Sequence, residues 1–254
     1  RMWIIEYYDL IRILAISDLR VKYQSSVLGF LWSLLNPFLM LMVLYVVFSR
    51  LFTTSGPDFI LFLFVGITSY RFFSNGTTAS VSSIVAKTSL VMKVYIPREV
   101  LVFSSVLSSL ISAFLEFIIL FALLIVFKNP FTWNILLFPI ITLIYFVIIY
   151  GVGLTLGALY VFYRDLNQIW EVVLSIGFFL SPILYPVTRI PEHMLKYYML
   201  NPVTTIMVMY RDSLLYGTTP SAWLYGYSIF IAIVLLGIGL AVFRRLQWRF
   251  AEEI

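Results

Sequence analysis

Side chains able to carry covalent or metal chemistry are scarce in this chain, and that scarcity narrows what it can do. Cysteine is absent and there is a single histidine, His193, in the stretch "IPEHML". Disulfides, thiolate nucleophiles and iron–sulfur ligation are therefore excluded, as is a multi-histidine metal site. A serine triad would have to be built around His193 with no Gly-x-Ser-x-Gly turn to support it. That histidine reads as an interfacial polar residue. None of the twelve glycines precedes a lysine, so there is no phosphate-binding loop of the Gly-x-x-x-x-Gly-Lys type. The chain is not expected to hydrolyse ATP by itself, nor to hold a metal or cofactor of its own.

The remaining chemistry is polar chemistry in an apolar setting. At 254 residues, 62% hydrophobic and 11% charged, the chain cannot hide its apolar surface in one water-soluble core. It reads as an all-α integral membrane protein. The net charge of +5 comes mostly from cations beside apolar runs, where membrane-orienting charges lie, so nucleic acid is not expected as a partner. No signal-peptide pattern precedes the first apolar run, and Arg1 in place of methionine predicts that the sequence begins slightly inside the natural chain.

A bilayer core of about 30 Å needs roughly 20 helical residues. Six stretches meet or approach that length: residues 28–48, 59–86, 100–127, 135–163, 169–185 and 222–243. The fifth is shortest and ends in "SPILYP", where Pro182 and Pro186 stop or kink a helix. No internal repeat or linker stands out, so residues 1–254 are expected to form one membrane domain.

Cations near the span ends orient the chain. With six spans, Arg1, Arg12, Arg20, Lys22, Lys87, Lys93, Arg98, Arg164, Arg244, Arg245 and Arg249 fall on the side of both termini. Arg50, Lys128, Arg189, Lys196 and Arg211 fall on the other. Both termini are then cytoplasmic, residues 87–99 form a cytoplasmic loop, and residues 187–221 are external.

Two ionisable residues, Arg71 and Glu116, lie within spans and are functional candidates by default. Counted from the span ends at 1.5 Å per residue, their depths differ by about 12 Å, too far for a direct pair unless a helix is broken or shifted. "SNGTT" at 74–78 is a place for such a break; otherwise Glu116 is expected to bond to the serine-rich face of its own span. A proton-coupled transporter would use both residues, and that reading stays open. Gly153 and Gly157 form a small-xxx-small step that permits close helix contact.

Before the first span, residues 1–24 place Glu6, Asp9 and Arg12 three apart in an otherwise apolar stretch, the pattern of an amphipathic helix lying in the interface. In "KVYIPREVL", Ile96 before Pro97 favours extended backbone, Pro97 fits a helix start, and Glu99 complements that helix's positive end. A short helix near 89–94, a turn and then span three are expected.

In this order, "RVKYQSSVLGFLWSLLNPFL", "KVYIPREVL" and "SPILYPVTRIPEHMLKYYMLNPVTTI" followed by "YRDSLL" resemble the membrane subunit of type 2 ABC exporters. The pattern is most similar to the polysaccharide branch, which includes O-antigen, capsule and teichoic acid permeases. The resemblance implies a homodimer in the inner (plasma) membrane, with two separate ATP-binding cassette subunits on the cytoplasmic face that hold ATP and Mg. The substrate would be lipid-linked polysaccharide moved outward; export of drugs or small lipids is the alternative within the same family.

The resemblance also implies roles for particular segments. The N-terminal helix, with Glu6, Asp9 and Arg12, would be an interface helix. Lys93, Tyr95, Pro97, Arg98 and Glu99 would form the coupling segment, with Lys93, Tyr95 and Arg98 displayed to the ATPase. Helices near 191–200 and 202–215, divided at Asn201–Pro202 and opened by Pro191, would re-enter the membrane and gate the exit. Tyr70, Phe72, Phe73, Phe178, Phe179 and Tyr185 offer ring faces for a passing glycan, although aromatics also fill ordinary packing positions.

Overall fold

The computed structural model describes residues 7–24, 29, 31–51, 57–93, 96–130 and 132–253, which are largely helical, with no strand among the described residues. In chain order the helices are α1 (Tyr8–Tyr23), α2 (Leu31–Leu51), α3 (Pro57–Ser82), α4 (Thr88–Lys93), α5 (Glu99–Val126) and α6 (Phe138–Phe162). They continue with α7 (Leu166–Leu180), α8 (Glu192–Met199), α9 (Pro202–Leu214), α10 (Ala222–Leu246) and α11 (Phe250–Glu253).

Among the described residues, five helical stretches are long and apolar enough to cross a membrane: Leu31–Ser49, Asp58–Ser82, Glu99–Val126, Trp133–Phe162 and Ala222–Arg249. The helix expected at 169–185 differs. It starts earlier, at Leu166, and stops at Leu180 after 15 residues, about 22 Å of rise against a bilayer core of about 30 Å. Pro182 and Pro186 account for the stop, because neither can donate to the helical ladder.

The centre of the fold is α3, which packs against α2, α5, α6, α7 and α9. It is the least apolar of the long helices and yet the most enclosed. Its hydroxyls tolerate enclosure by bonding back along the helix: Thr68 to the Phe64 carbonyl at 2.9 Å, Thr77 to Phe73 at 2.8 Å and Ser80 to Gly76 at 2.7 Å. The helix runs unbroken through residues 74–78, so the break allowed for in "SNGTT" is absent. Around it lies one apolar core that includes Phe64, Phe72, Phe117, Tyr145 and Tyr210.

Helix α1 lies against α5 with Ile11 and Ala15 buried and Asp9 and Arg12 exposed. The amphipathic reading therefore holds where the helix is described, while Glu6 lies outside the described residues.

The closest helix pair is α6 with α10. A Cβ on Gly151 would sit 2.6 Å from the backbone C of Leu235 and N of Leu236, and one on Gly239 would strike the Gly151 carbonyl oxygen. Gly153 and Gly157, expected to permit a close contact, do so against α3: a Cβ there would meet Ser80 Oγ at 2.5 Å and the Ser80 carbonyl oxygen at 2.9 Å. Overpacking against backbone has no flexible side chain to absorb it, so Gly151→Ala should cost about 1–3 kcal/mol. Gly226→Ala, where nothing lies within 4 Å, should cost nothing. Thermal unfolding of the two variants in detergent measures the difference; equal midpoints would contradict this packing.

Candidate functional site

Two grooves meet along α3. The upper one, about 630 Å³, is walled by Asn36 and Met40 of α2, by Ile67, Tyr70, Arg71, Ser74, Asn75 and Thr78 of α3, and by Glu171, Leu174, Ser175, Phe178 and Phe179 of α7. Its two main walls are tied together. The Tyr70 hydroxyl donates to the Leu174 carbonyl, Trp170 Nε1 donates to Thr77 Oγ1 at 3.0 Å, and the Tyr70 and Phe178 rings meet edge to face at 5.4 Å.

Arg71 sits on this wall with Glu116 behind it. Nε of Arg71 donates to Glu116 Oε1 and Oε2 at 3.1 and 3.3 Å, while the carboxylate side chain is only 3% exposed. The direct pair, expected only with a broken or shifted helix, is therefore present. Helix α5 is 28 residues long, about 42 Å of rise, and so exceeds the membrane core. Counting depth from its end as though that end lay at the membrane surface misplaced Glu116.

The lower groove, about 580 Å³, shares Asn75 and Thr78 with the upper one. It is walled by Ser105, Ser108, Ser109 and Ser112 of α5, by Ser82 and Ser83, and by Asp18, Lys22 and Lys87. Ser105, Ser109 and Ser112 donate to the carbonyls of Leu101, Ser105 and Ser108 at 3.1, 3.1 and 3.2 Å. With their protons turned into the helix, these hydroxyls present acceptor oxygen to the groove. At its edge Lys87 Nζ donates to Asp18 Oδ2 at 2.7 Å, and Ser105 Oγ lies 3.2 Å from the same oxygen.

A second polar centre lies deeper, at Arg211 of α9, which is 3% exposed. Its Nη1 donates to the Pro182 carbonyl at 2.6 Å; its Nη2 donates to Ile183 at 3.1 Å and Phe62 at 3.2 Å. The guanidinium lies over the Phe62 ring at 3.5 Å. A Cβ at residue 66 would come within 2.8 Å of Nη2, so only glycine leaves the space. The arginine satisfies carbonyls exposed where α7 stops.

The model of the family described as "ABC-2 type transporter" matches residues 9–215. The chain belongs to the ABC-2 type transporter family. O-antigen export system permease protein RfbA of Klebsiella pneumoniae is similar at 29% identity over 249 residues, covering 96% of this chain and 95% of the relative. RfbA of Myxococcus xanthus is 30% identical over 251 residues, covering 98% and 96%. Polysialic acid transport protein KpsM of Escherichia coli is 23% identical over 245 residues, covering 91% of each chain.

In this ABC-2 protein the six aromatics separate. Tyr70, Phe178 and Phe179 line the upper groove. Phe72 does not: it is 1% exposed, with its ring edge-on to Tyr145 at 5.5 Å inside the core. Phe73 stacks on Tyr145 at 6.3 Å, and Tyr185 donates to the Phe179 carbonyl at 3.2 Å, with the Tyr198 hydroxyl 3.3 Å from its oxygen. Neighbours on a helix point about 100° apart, so a run such as "YRFF" cannot all face one groove.

The segment expected to couple also divides. Helix α4 is present at Thr88–Lys93, the side chain of Lys93 and all of Tyr95 lie outside the described residues, and Pro97 precedes the Arg98 cap of α5. Arg98 is half-buried: it donates to the Gln247 carbonyl and lies over the Phe250 ring at 5.6 Å. Glu99 is buried, with its carboxylate 3.9 Å from Arg244. The carbonyl at the end of α10 needs a donor, and the C-terminal turn brings it to Arg98.

Residues 191–214 form the two expected helices. The Pro191 carbonyl accepts from Met194 and Leu195 at 2.9 and 3.1 Å, and Asn201 caps α9 by accepting from the Val203 amide at 3.0 Å, with Pro202 at the first helical position. Sequence reasoning placed Arg211 among the external charges and passed over Asp18. The signal for Asp18 was its register: Ile11, Leu14, Ala15 and Asp18 follow the 3–4 spacing of a buried stripe.

Arg211→Met should leave the carbonyls at 182 and 183 without donors and cost roughly 2–5 kcal/mol. It should also open residues 181–186 to proteolysis in detergent; a variant as stable and as protected as the parent would refute the capping role. At the ion pair, Arg71→Gln strands a buried carboxylate and should cost roughly 3 kcal/mol. Glu116→Gln leaves only the half-exposed cation and should cost less. Unfolding midpoints in the reverse order would contradict the assignment.

Proposed function

We propose that this chain is the transmembrane subunit of an ATP-driven exporter that moves lipid-linked polysaccharide from the cytoplasmic to the outer side of the inner membrane. The observation that carries this reading is the pair of adjoining grooves along α3, rich in hydroxyl and amide groups and rimmed by Tyr70, Phe178 and Phe179. A hydrated glycan needs oxygen-rich walls with ring faces among them, and a proton relay needs neither. Similarity to O-antigen export permeases along nearly the whole chain supports the same substrate class.

In this reading the working unit is a homodimer with two ATP-binding cassette subunits, which supply ATP and Mg. Helix α7 and the segment held by Arg211 complete a sixth, thinner crossing. Both termini are cytoplasmic and the whole chain acts as one membrane domain. Helix α4, with Lys93, Tyr95 and Pro97, forms the seat for the ATPase. Arg98 and Glu99 serve that seat from behind, by fixing it to the C-terminal turn. Helices α8 and α9 gate the exit, with Pro191, Asn201 and Pro202 setting their ends, and α1 with Asp9 and Arg12 lies along the interface.

Because the chain lacks cysteine, single cysteines report sidedness cleanly. Thr219→Cys should label from outside intact cells, while Ser89→Cys and Glu253→Cys should not; external labelling at Ser89 would overturn the orientation and the coupling role together. Deleting the gene should leave lipid-linked glycan in the cytoplasmic leaflet. Normal surface glycan in the deletion strain would end the polysaccharide reading.

A further inference from the structure

Among the described residues the charges lining the two grooves cancel once the carboxylate paired behind Arg71 is included. Arg71 and Glu171 line the upper groove, Glu116 stands behind Arg71, and Asp18, Lys22 and Lys87 line the lower one. Among the described residues that is three cations against three carboxylates. At short range Arg71 is matched by Glu116 at 3.1 Å and Lys87 by Asp18 at 2.7 Å. A corridor for a polyanion needs the opposite, a surplus of positive potential along its wall.

The hydrogen-bonding capacity left over suits uncharged hydroxyls. Glu116 engages Arg71 through Nε; the two terminal amino groups of the guanidinium have no hydrogen-bond partner among the described residues, and Arg71 stands on the groove wall. Across from it, Asn167 Nδ2 donates to Glu171 Oε1 at 2.8 Å, which leaves Oε2 as an acceptor. A sugar hydroxyl both donates and accepts, so it can satisfy both sides, with its C–H face against Phe178 or Phe179. A sugar carboxylate can take the arginine but would face Glu171 with no proton to give.

Resting on the polysaccharide reading, we propose that Arg71 and Glu171 form a sugar-binding subsite in the upper groove that selects a glycan of neutral sugars over an acidic one. Arg71 donates to sugar oxygens, Glu171 accepts from sugar hydroxyls, and Glu116 holds Arg71 in place while cancelling its charge.

Two measurements test this. In the deletion strain, the retained lipid-linked glycan is extracted and its repeat analysed for uronate, sialate and phosphate substituents. A repeat free of acidic groups is the expected result, and an acidic group in the repeat overturns the neutral-glycan selection. If no glycan is retained, the polysaccharide reading fails and this inference with it. In cells carrying the full transporter, Glu171→Gln keeps a carbonyl acceptor and should hold the rate of surface glycan appearance within about twofold, whereas Glu171→Lys should lower it roughly five- to tenfold, the loss of one hydrogen bond. Expression is matched by copurification with the ATPase. An unchanged or faster rate in Glu171→Lys overturns the subsite, because a substrate repelled by Glu171 would move faster past a lysine.

Discussion

The packing around α7 depends on how a broken backbone is satisfied where it is buried in protein. Carbonyls released by the end of a helix within a bilayer cost several kcal/mol each unless protein supplies donors. Helix α7 stops at Leu180, and the donors for Pro182 and Ile183 come from one guanidinium on α9. That demand draws α9 against α3, puts Phe62 under the cation and requires glycine at 66. With α3, α7 and α9 fixed in this way, the upper groove inherits its shape, because its two main walls are α3 and α7.

The same economy explains how a polar helix occupies the centre of an apolar protein. Thr68, Thr77 and Ser80 give their protons to carbonyls one turn back, and the serines of α5 do likewise. Each hydroxyl is then satisfied as a donor without a partner helix; on α3 this lets Thr68, Thr77 and Ser80 lie fully buried, and on α5 it lets the serines line the lower groove with their oxygens. A wall built so is wet without being charged. It can meet a succession of hydroxyl groups weakly at each point, which is what passage requires and what a tight binding site would prevent.

Five of the long helices, the amphipathic first helix and the pair at 191–214 were legible in the sequence, because each rests on a local signal: a long apolar run, a stripe, or proline and asparagine at a helix start. Long-range pairings were not. Arg71 and Glu116 are 45 residues apart and their meeting depends on how far α5 extends beyond the membrane, which no window of sequence states. Arg211 looked like an external charge because its partners are backbone carbonyls, and carbonyls leave no trace in residue types. Of the aromatics, Tyr70 and Phe178 reach the groove and Phe72 turns into the core, a difference of helical phase against neighbours that only the packing defines.

The segment around α4 is tied at both ends, and the ties determine where a load on it would go. Before it, Lys87 holds Asp18 of α1, and Ser105 of α5 shares that carboxylate. After it, Arg98 holds the Gln247 carbonyl and lies over Phe250, which packs against Phe162 and Phe243 at 6.1 and 5.5 Å. In the proposed exporter, a push on α4 would act on α1, α5 and the C-terminal turn through these ties. Helix α5 runs from there along the serine wall of the lower groove to Glu116, which holds Arg71 on the wall of the upper one. An element that moves as a packed unit transmits a shift without dissipating it in side-chain rearrangement. In the proposed exporter, the helix that receives the load is thus also a wall of the path and the backing of its central cation.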